Sequence, residues 1–312
     1  MSLRLIRIQK EMSESSYHIP VMLHECIEGL DIKPDGTYVD VTFGGGGHSK
    51  AIMERLSEKG RLFAFDQDAD AAGNAIDDDR FCLIEENFDK FEECLRLYRA
   101  VRVDGVIADL GVSSHQLDCP ERGFSTRFDG ALDLRMNNRG GFTAADVVNS
   151  YSLEELCRVF KDYGELVNAY SVAKALVAKQ NEGIFSTSDL MASLVRYAPR
   201  GKENKFFAKV FQALRIEVNR EMDCLKKMLE QCGRIMVPGA RLVVMSYHSL
   251  EDRIVKNYMK TGNCEGKVEK DFYGNIITDF EQITRKPIVA GEEEVERNPR
   301  SRSAKLRIAR KK

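Results

Sequence analysis

Four consecutive glycines, Gly44–Gly47, stand between an apolar run and an amphipathic one in TYVDVTFGGGGHSKAIMERL (37–56). Backbone without side chains is costly to order, so the chain needs a sharp turn there, a close approach by a ligand, or both. Upstream, Tyr38–Val41 reads as a short buried strand; downstream, Ile52, Met53 and Leu56 share one helical face. The rhythm continues. Leu62–Phe65, Phe81–Ile84 and Val106–Ala108 are further strand-like runs, and Phe88, Phe91, Leu95 and Tyr98 recur at helical spacing. Strands alternating with helices predict an α/β fold with a doubly wound, mostly parallel sheet. Ligands of such sheets bind beyond the carboxyl ends of the strands.

After Val112 the pattern changes, and from about Cys119 to Lys205 helical stretches replace strands. Leu153, Leu156, Val159, Phe160 and Tyr163 form one stripe; Val172, Ala173, Leu176 and Val177 form another. Ser186 and Asp189 have the spacing of a capping box before Leu190 and Leu194. A long helix is predicted from about Phe206 to Cys232, and Pro238-Gly239 is expected to break the chain before a strand at Leu242–Met245. The division is therefore a sheet domain, 1–119 and 206–312, interrupted by an inserted all-helical domain, 120–205. The polar stretch 260–296 carries no clear element.

Composition narrows the class. With 312 residues, 43% of them hydrophobic, the chain can bury the core of one large or two modest domains. Its eight cysteines make no C-x-x-C pair, no secretory leader is evident, and no apolar run is long enough to span a bilayer. A cytoplasmic protein with reduced thiols and no membrane partner is expected. Five scattered histidines without ligand spacing argue against zinc, and no metal-ligand residue is expected. A net charge of -2 gives no molecule-wide attraction for nucleic acid. Locally, however, Arg297–Lys312 carries eight basic residues and no acid. That segment reads either as a solvated tail or, through the alternation of Ala304–Ala309, as a last strand with arginines open to phosphates.

What lies on the glycines is narrowed by what is missing. A dinucleotide fingerprint wants a third glycine, where this chain has Ser49 or Lys50 in the two possible frames. No Walker string exists. Asp40 sits inside the first strand, Asp66 ends the second, Asn87-Phe88 follows the third and Asp109 follows the fourth. Any one of these acids also reads as a helix cap. All of them in register describe a nucleoside pocket with no phosphate clamp, in which Asp66 accepts from ribose hydroxyls and Phe88 covers a base. A nicotinamide-dependent oxidoreductase is the competing reading, and it lacks its third glycine.

Longer strings follow in order: HIPVML (18–23), FGGGGHS (43–49), ADLGVSSHQLD (108–118), ERGFS (121–125), LDLRM (132–136), FQALRIEVNRE (211–221), YHSLEDRIVK (247–256) and NPRSRSAKLR (298–307). Together they resemble the RsmH/MraW family of 16S ribosomal RNA cytidine N4-methyltransferases. The resemblance implies a Rossmann-like class I methyltransferase sheet that binds S-adenosylmethionine, and an inserted helical domain that helps to hold RNA. It places cofactor contacts at Gly46, Gly47, His48, Asp66, Phe88, Asp109 and Gln116, with Gly44 and Gly45 mainly making the turn. The partner it implies is 16S rRNA in the small ribosomal subunit, and the target is a cytidine of the decoding centre. A homodimer is compatible with it. His115 stands where the family usually has proline, and KENKFFAKV (202–210) replaces the family's usual HPATRT.

The chemistry also suits these residues. An exocyclic cytosine amine is a poor nucleophile, so it must be held in line with the methyl group while acceptors bond its N–H groups. Asp109 is the catalytic candidate, either in that role or by binding the cofactor's amine. Carbon-5 methylation would need a cysteine nucleophile; Cys119-Pro120 reverses the usual order. His248 is a second candidate base or a cap beside a Ser249-x-x-Asp252 helix start. Arg196, Tyr197, Arg200, Lys202, Lys205, Phe206 and Lys209 mix cations and rings as RNA-binding segments do.

Overall fold

The computed structural model describes residues 20–312; His18 and Ile19 of the first matched string lie outside them. The chain divides into two compact units. One comprises the residues up to Asp66 together with Asp70–Leu110 and Glu230–Lys312; the other comprises Gln67–Ala69 and Gly111–Leu229.

In the first unit, α1 (Leu23–Leu30) leads into β1 (Thr37–Asp40), α2 (Gly47–Met53), β2 (Arg61–Phe65), β3 (Phe81–Ile84), α3 (Phe91–Leu97) and β4 (Val103–Asp109). The strands fall where the apolar runs put them. With β5 (Met236–Ser246), β6 (Phe280–Gln282) and β7 (Lys305–Lys311) they form one sheet, ordered β3-β2-β1-β4-β5-β7-β6. The pairs β3/β2, β2/β1, β1/β4 and β4/β5 are parallel; β7 runs antiparallel between β5 and β6. Strand order reverses between β1 and β4, which opens a crevice at their carboxyl ends. Cys26, Ile27 and Leu30 of α1 and Ile52 and Met53 of α2 pack with Leu62, Ile107, Val243, Met245, Leu306 and Ile308. Each such buried aliphatic side chain contributes about 1.5–3 kcal/mol, so the sheet face under the crevice is firmly anchored.

Pro238-Gly239 does not break the chain before a strand, as the sequence suggests; both residues lie within β5. The register jumps from Val103↔Met236 to Gly105↔Arg241, so the pair is absorbed as a bulge, with Gly239 at φ +86°. Of the two readings of the basic C-terminus, the strand reading fits. Leu306, Ile308 and Ala309 are buried. The cations within β7 are committed: Arg307 Nε donates to Asp252 Oδ1 (2.7 Å), Lys305 lies 3.5 Å from Asp252, Lys311 pairs with Asp279 (2.9 Å) and Arg310 with Glu281.

The second unit holds α4 (Ser114–Asp118), α5 (Ala144–Ser150), α6 (Leu153–Asp162), α7 (Ala169–Val177), α8 (Thr187–Leu194), α9 (Glu203–Asn219) and α10 (Glu221–Ile235) as far as Leu229. Ser186 caps α8 through the expected box with Asp189. The boundaries differ from 120–205. Phe206, Phe207, Val210, Phe211, Ala213 and Leu214 of α9 are buried among Val159, Phe160, Val172, Leu176 and Leu190, so α9 belongs to the helical core. At the other end, Asp68 is bonded by Gln116 and Arg122, which draws residues 67–69 into the helical unit. The predicted long helix is two helices. Arg220 caps the first at φ +50°, and Asn219, its last residue, ties the corner to a distant segment: its Nδ2 donates to Leu134 O and Arg215 O (both 2.8 Å), and its Oδ1 accepts from Met136 N–H (2.7 Å). Arg215 braces the corner with a bidentate pair to Glu221 (2.8 and 2.9 Å).

Candidate active site

The glycine turn is shaped from below. Gly44 and Gly46 adopt φ +51° and +75°, so the turn is made by Gly44 and Gly46 rather than by Gly44 and Gly45. Asp66, at the end of β2, accepts from Gly44 N–H (2.8 Å), and Asn74 Nδ2 donates to Gly44 O (3.0 Å). A Cβ on Gly46 would stand 2.9 Å from the Phe43 ring, and one on Gly47 would stand 2.1 Å from Pro20 Cγ. Internal packing therefore explains why these two carry no side chain. Beside Gly44 the space is open, with Thr42 O at 4.0 Å the nearest neighbour of a Cβ there. At the first turn of α2 the N–H groups of Gly47 and His48 have no partner within the helix.

Asp40 closes the turn from inside. It is buried and accepts from Ser49 Oγ (2.7 Å) and Thr42 N–H (3.1 Å). Burial pushes its carboxyl above the usual range, against those bonds. Its work is to tie β1 to α2. Thr42 Oγ1 in turn accepts from Asp109 N–H (2.6 Å), so the turn also fixes the end of β4.

Asp109 is the centre of the constellation. Tyr247 OH donates to its Oδ1 (2.8 Å), and His48 Nδ1 lies 3.9 Å from its Oδ2. Burial pushes the Asp109 carboxyl up to about 6; His48 and the Tyr247 hydrogen bond oppose that rise, while Asp40 and Glu251 add to it. A quarter of its side-chain surface stays accessible, against 7% for His48. His48 Nε2 faces Val21 O at 3.3 Å. A carbonyl can only accept, so Nε2 carries the proton and Nδ1 turns a lone pair or a second proton toward Asp109. Burial lowers the His48 pKa, with Asp109 and the Val21 carbonyl working the other way. Burial and the Asp109 charge push the Tyr247 hydroxyl far up, which keeps it a donor.

Tyr247 was not legible as a site residue. Met245 pairs with Asp109 across β4 and β5, so Tyr247, two residues on, reaches the same end of the sheet. Glu251 holds it there: one carboxyl oxygen accepts from the N–H groups of Tyr247 (2.9 Å) and His248 (3.3 Å). His248, not Ser249, caps α11 (Ser249–Thr261), with Nδ1 accepting from Glu251 N–H (3.4 Å). The capping alternative accounts for His248. Phe88 is half-buried and opens a 3-10 turn after β3, capped by Asn87.

In the helical unit, Gln116 is buried with its amide committed. Its Oε1 accepts from Ser113 N–H (3.1 Å) and its Nε2 donates to Asp68 Oδ2 (2.7 Å). His115 occupies the first turn of α4, where a proline is tolerated and a histidine costs no helix bond. Of the expected RNA set, Phe206 is buried in the helical core. Arg196 sits over the Tyr197 ring at 4.9 Å, and Lys209 donates to Glu165 O (3.1 Å). Arg200, Lys202 and Lys205 are exposed.

The donor set suits S-adenosylmethionine. The strand ends offer acids at Asp66 and Asp109 and an aromatic ring at Phe88, and 40–45, 66, 85–88 and 109–110 hold no lysine or arginine to meet a phosphate. This sheet order, with those residues at its strand ends, defines a class I methyltransferase fold. Residues 15–312 match the MraW methylase family, and the chain belongs to that family, whose methyl donor is S-adenosylmethionine. The chain is 56% identical over 303 residues to the ribosomal RNA small subunit methyltransferase H of Parabacteroides distasonis, spanning 96% of this chain and 99% of that one. The protein of the same name from Bacteroides thetaiotaomicron is 55% identical, over 97% and 100%. That from Flavobacterium johnsoniae is 55% identical, over 95% and 98%. Among the described residues no helix is long and apolar enough to cross a membrane.

Proposed function

We propose that the chain methylates the N4 amine of a cytidine in 16S rRNA, at the decoding centre of the small ribosomal subunit. The relatives' names support ribosomal RNA of the small subunit as the substrate; the cytidine and its place come from the resemblance of the ordered motifs. The observation that carries the chemistry is the Asp109 carboxyl, held by Tyr247, facing His48, partly accessible and shifted to about 6.

When bound, S-adenosylmethionine supplies a methyl group made electrophilic by its sulfonium. Asp66, Phe88, the N–H groups of Gly47 and His48, and Gly46, whose own N–H is spent on Phe43 O (2.8 Å), are the residues we assign to holding it, with Gln116 assigned on the resemblance alone. Above about pH 6 the Asp109 carboxylate accepts an N–H of the target amine, which localises the nitrogen lone pair. Its second duty is to take the proton that the amine loses on methylation. A base near the working pH suits both. Tyr247 keeps Oδ1 fixed, so the oxygen facing His48 is the one free to turn toward the amine. The His48 imidazole stands 3.9 Å from that oxygen and its burial favours the neutral form, so the proton rests on Asp109 until solvent takes it.

The test is methyl transfer to small subunits that lack the modification, with the product nucleoside identified. N4-methylcytidine is expected from the native chain and not from Asp109→Ala. Any other methylated nucleoside would sink the cytidine assignment.

A further inference from the structure

Between α11 and β6 the chain makes a finger that the fold of the sheet does not require. Its base is fixed. Asn263 Nδ2 donates to Lys267 O (2.6 Å), its Oδ1 accepts from Lys267 N–H (2.9 Å), and Asn257 Nδ2 donates to the carbonyl of buried Cys264 (3.2 Å). Its arms pair: Ile277 N–H donates to Glu269 O (2.9 Å), and Lys270 bridges Ile276 in antiparallel fashion. Its tip is built on Asp271, whose Oδ1 accepts from Tyr273 N–H and Asn275 N–H, both at 2.9 Å, and whose Oδ2 accepts from Asn275 Nδ2 (3.0 Å).

On that tip Phe272 is 98% exposed and Tyr273 85%. The rings lie 5.7 Å apart at 87°, so each turns a separate face to solvent. Leaving a phenylalanine in water forgoes about 1.5–3 kcal/mol of burial, and the ordered turn keeps both rings out. Lys267, Glu269, Lys270, Asp271 and Asn275 surround them, all exposed, and only Val268 and Ile277 add half-exposed apolar surface on the arms. Four apolar side chains, two of them half-exposed, are too few to form the apolar core of a standard protein interface. Isolated ring faces beside lysines are instead how unpaired nucleic acid is held: bases stack on the rings and cations meet the backbone.

We propose that the Phe272–Tyr273 finger is an RNA-stacking contact that takes unpaired bases of the substrate away from the methyl-transfer pocket. The proposal rests on the reading of the substrate as RNA. The flanking Lys267 and Lys270 supply the phosphate contacts, and the Asp271 turn pre-orders the rings, so little conformational entropy is lost on binding.

The experiment compares the native chain with the double variant Phe272→Ala/Tyr273→Ala and with Phe272→Trp/Tyr273→Phe, which keeps both rings. Thermal stabilisation by S-adenosylhomocysteine reports whether fold and cofactor site survive in each. Affinity for a fluorescein-labelled, unpaired oligoribonucleotide is read by anisotropy at fixed salt, and KM and kcat are read on small subunits. A stacked base is worth about 1–3 kcal/mol, so removing the rings is expected to weaken oligoribonucleotide binding and raise KM, each about tenfold, with kcat nearly kept. The ring-keeping variant is expected to match the native chain. Equal affinity of the native and double-variant proteins overturns the finger even where N4-methylcytidine forms. Absence of N4-methylcytidine with the native chain strikes the proposed reaction, while a ring-dependent affinity still upholds the RNA contact. A change in oligomeric state with RNA affinity unmoved assigns the rings to a protein partner and overturns the proposal.

Discussion

Asp109 carries two demands that pull against each other, burial beside Tyr247 and His48 and ionisation near neutral pH. Its folded pKa of about 6 stands above the ordinary 3.8. A raised carboxyl pKa means that the folded state binds the proton more tightly, so its stabilising contribution is full below pH 3.8 and is lost as pH rises through about 6. Asp109→Asn removes the charge and keeps an acceptor for Tyr247. In chemical denaturation at pH 8 the variant is expected to be more stable than the native chain, by at most about 3 kcal/mol at roughly 1.4 kcal/mol per pKa unit. Near pH 4 the difference should vanish. Methyl transfer should fall by about 10²–10⁴. A variant that loses stability at pH 8 would contradict the burial account. Tyr247→Phe tests the same carboxyl differently. The Tyr247 hydrogen bond lowers the Asp109 pKa, so its loss should raise that pKa further. The acid limb of the pH–rate profile should then move to higher pH, with the plateau rate reduced; an unmoved limb would detach Tyr247 from the titration.

At the scale of elements, the β1–turn–α2 unit shows which glycines have a local reason. Gly47→Ala gains up to about 1 kcal/mol of helix propensity but drives a Cβ to 2.1 Å from Pro20 Cγ. Overpacking of that kind costs about 1–3 kcal/mol, so the clash is expected to win and the midpoint of denaturation to fall. Gly45 is exposed, and Gly45→Ala is expected to stay within about 0.5 kcal/mol of the native chain. Equal losses at both positions would refute the packing account. The same unit shows what a sequence discloses. β1 to β4 were legible because each is an apolar run bounded by turn residues, and the Ser186 box because its signal spans four residues. The break between α9 and α10 was not legible, since the corner at Arg220 is tied to a distant segment: Asn219 reaches Leu134 and Met136. The Pro238-Gly239 bulge depends on the partner strand β4, and Tyr247 reaches Asp109 only because β5 lies beside it. The strand-end acids could be placed from sequence. That Asp66 supports Gly44 and Asp40 supports Ser49 could not, because hydrogen-bond partners are a property of the packed turn.

For the molecule as a whole, a net charge of -2 leaves RNA attraction to local clusters, and the structure sorts those clusters by what they are already bound to. In the sheet unit the four cations of β7 are paired, Lys305 and Arg307 with Asp252, Lys311 with Asp279, and Arg310 with Glu281 at about half exposure for both, while Arg297, Arg302 and Lys312 around it are exposed. In the helical unit Arg200, Lys202 and Lys205 stand exposed. Under the proposed function these three are better phosphate ligands than the paired cations of β7. Each phosphate contact on single-stranded RNA adds about 0.7 to the slope of log affinity against log salt. Replacing all three by glutamine is therefore expected to flatten that slope by about 2 for small-subunit RNA and to raise KM at physiological salt. Their exposure predicts little change in folding stability. Arg310→Gln is expected to leave the slope unchanged and to cost no more than about 1 kcal/mol, as exposed ion pairs do. The opposite ranking, with Arg310 setting the slope and the three helical-unit cations silent, would place the phosphate track on β7 and return the basic C-terminus to the role its composition first suggested.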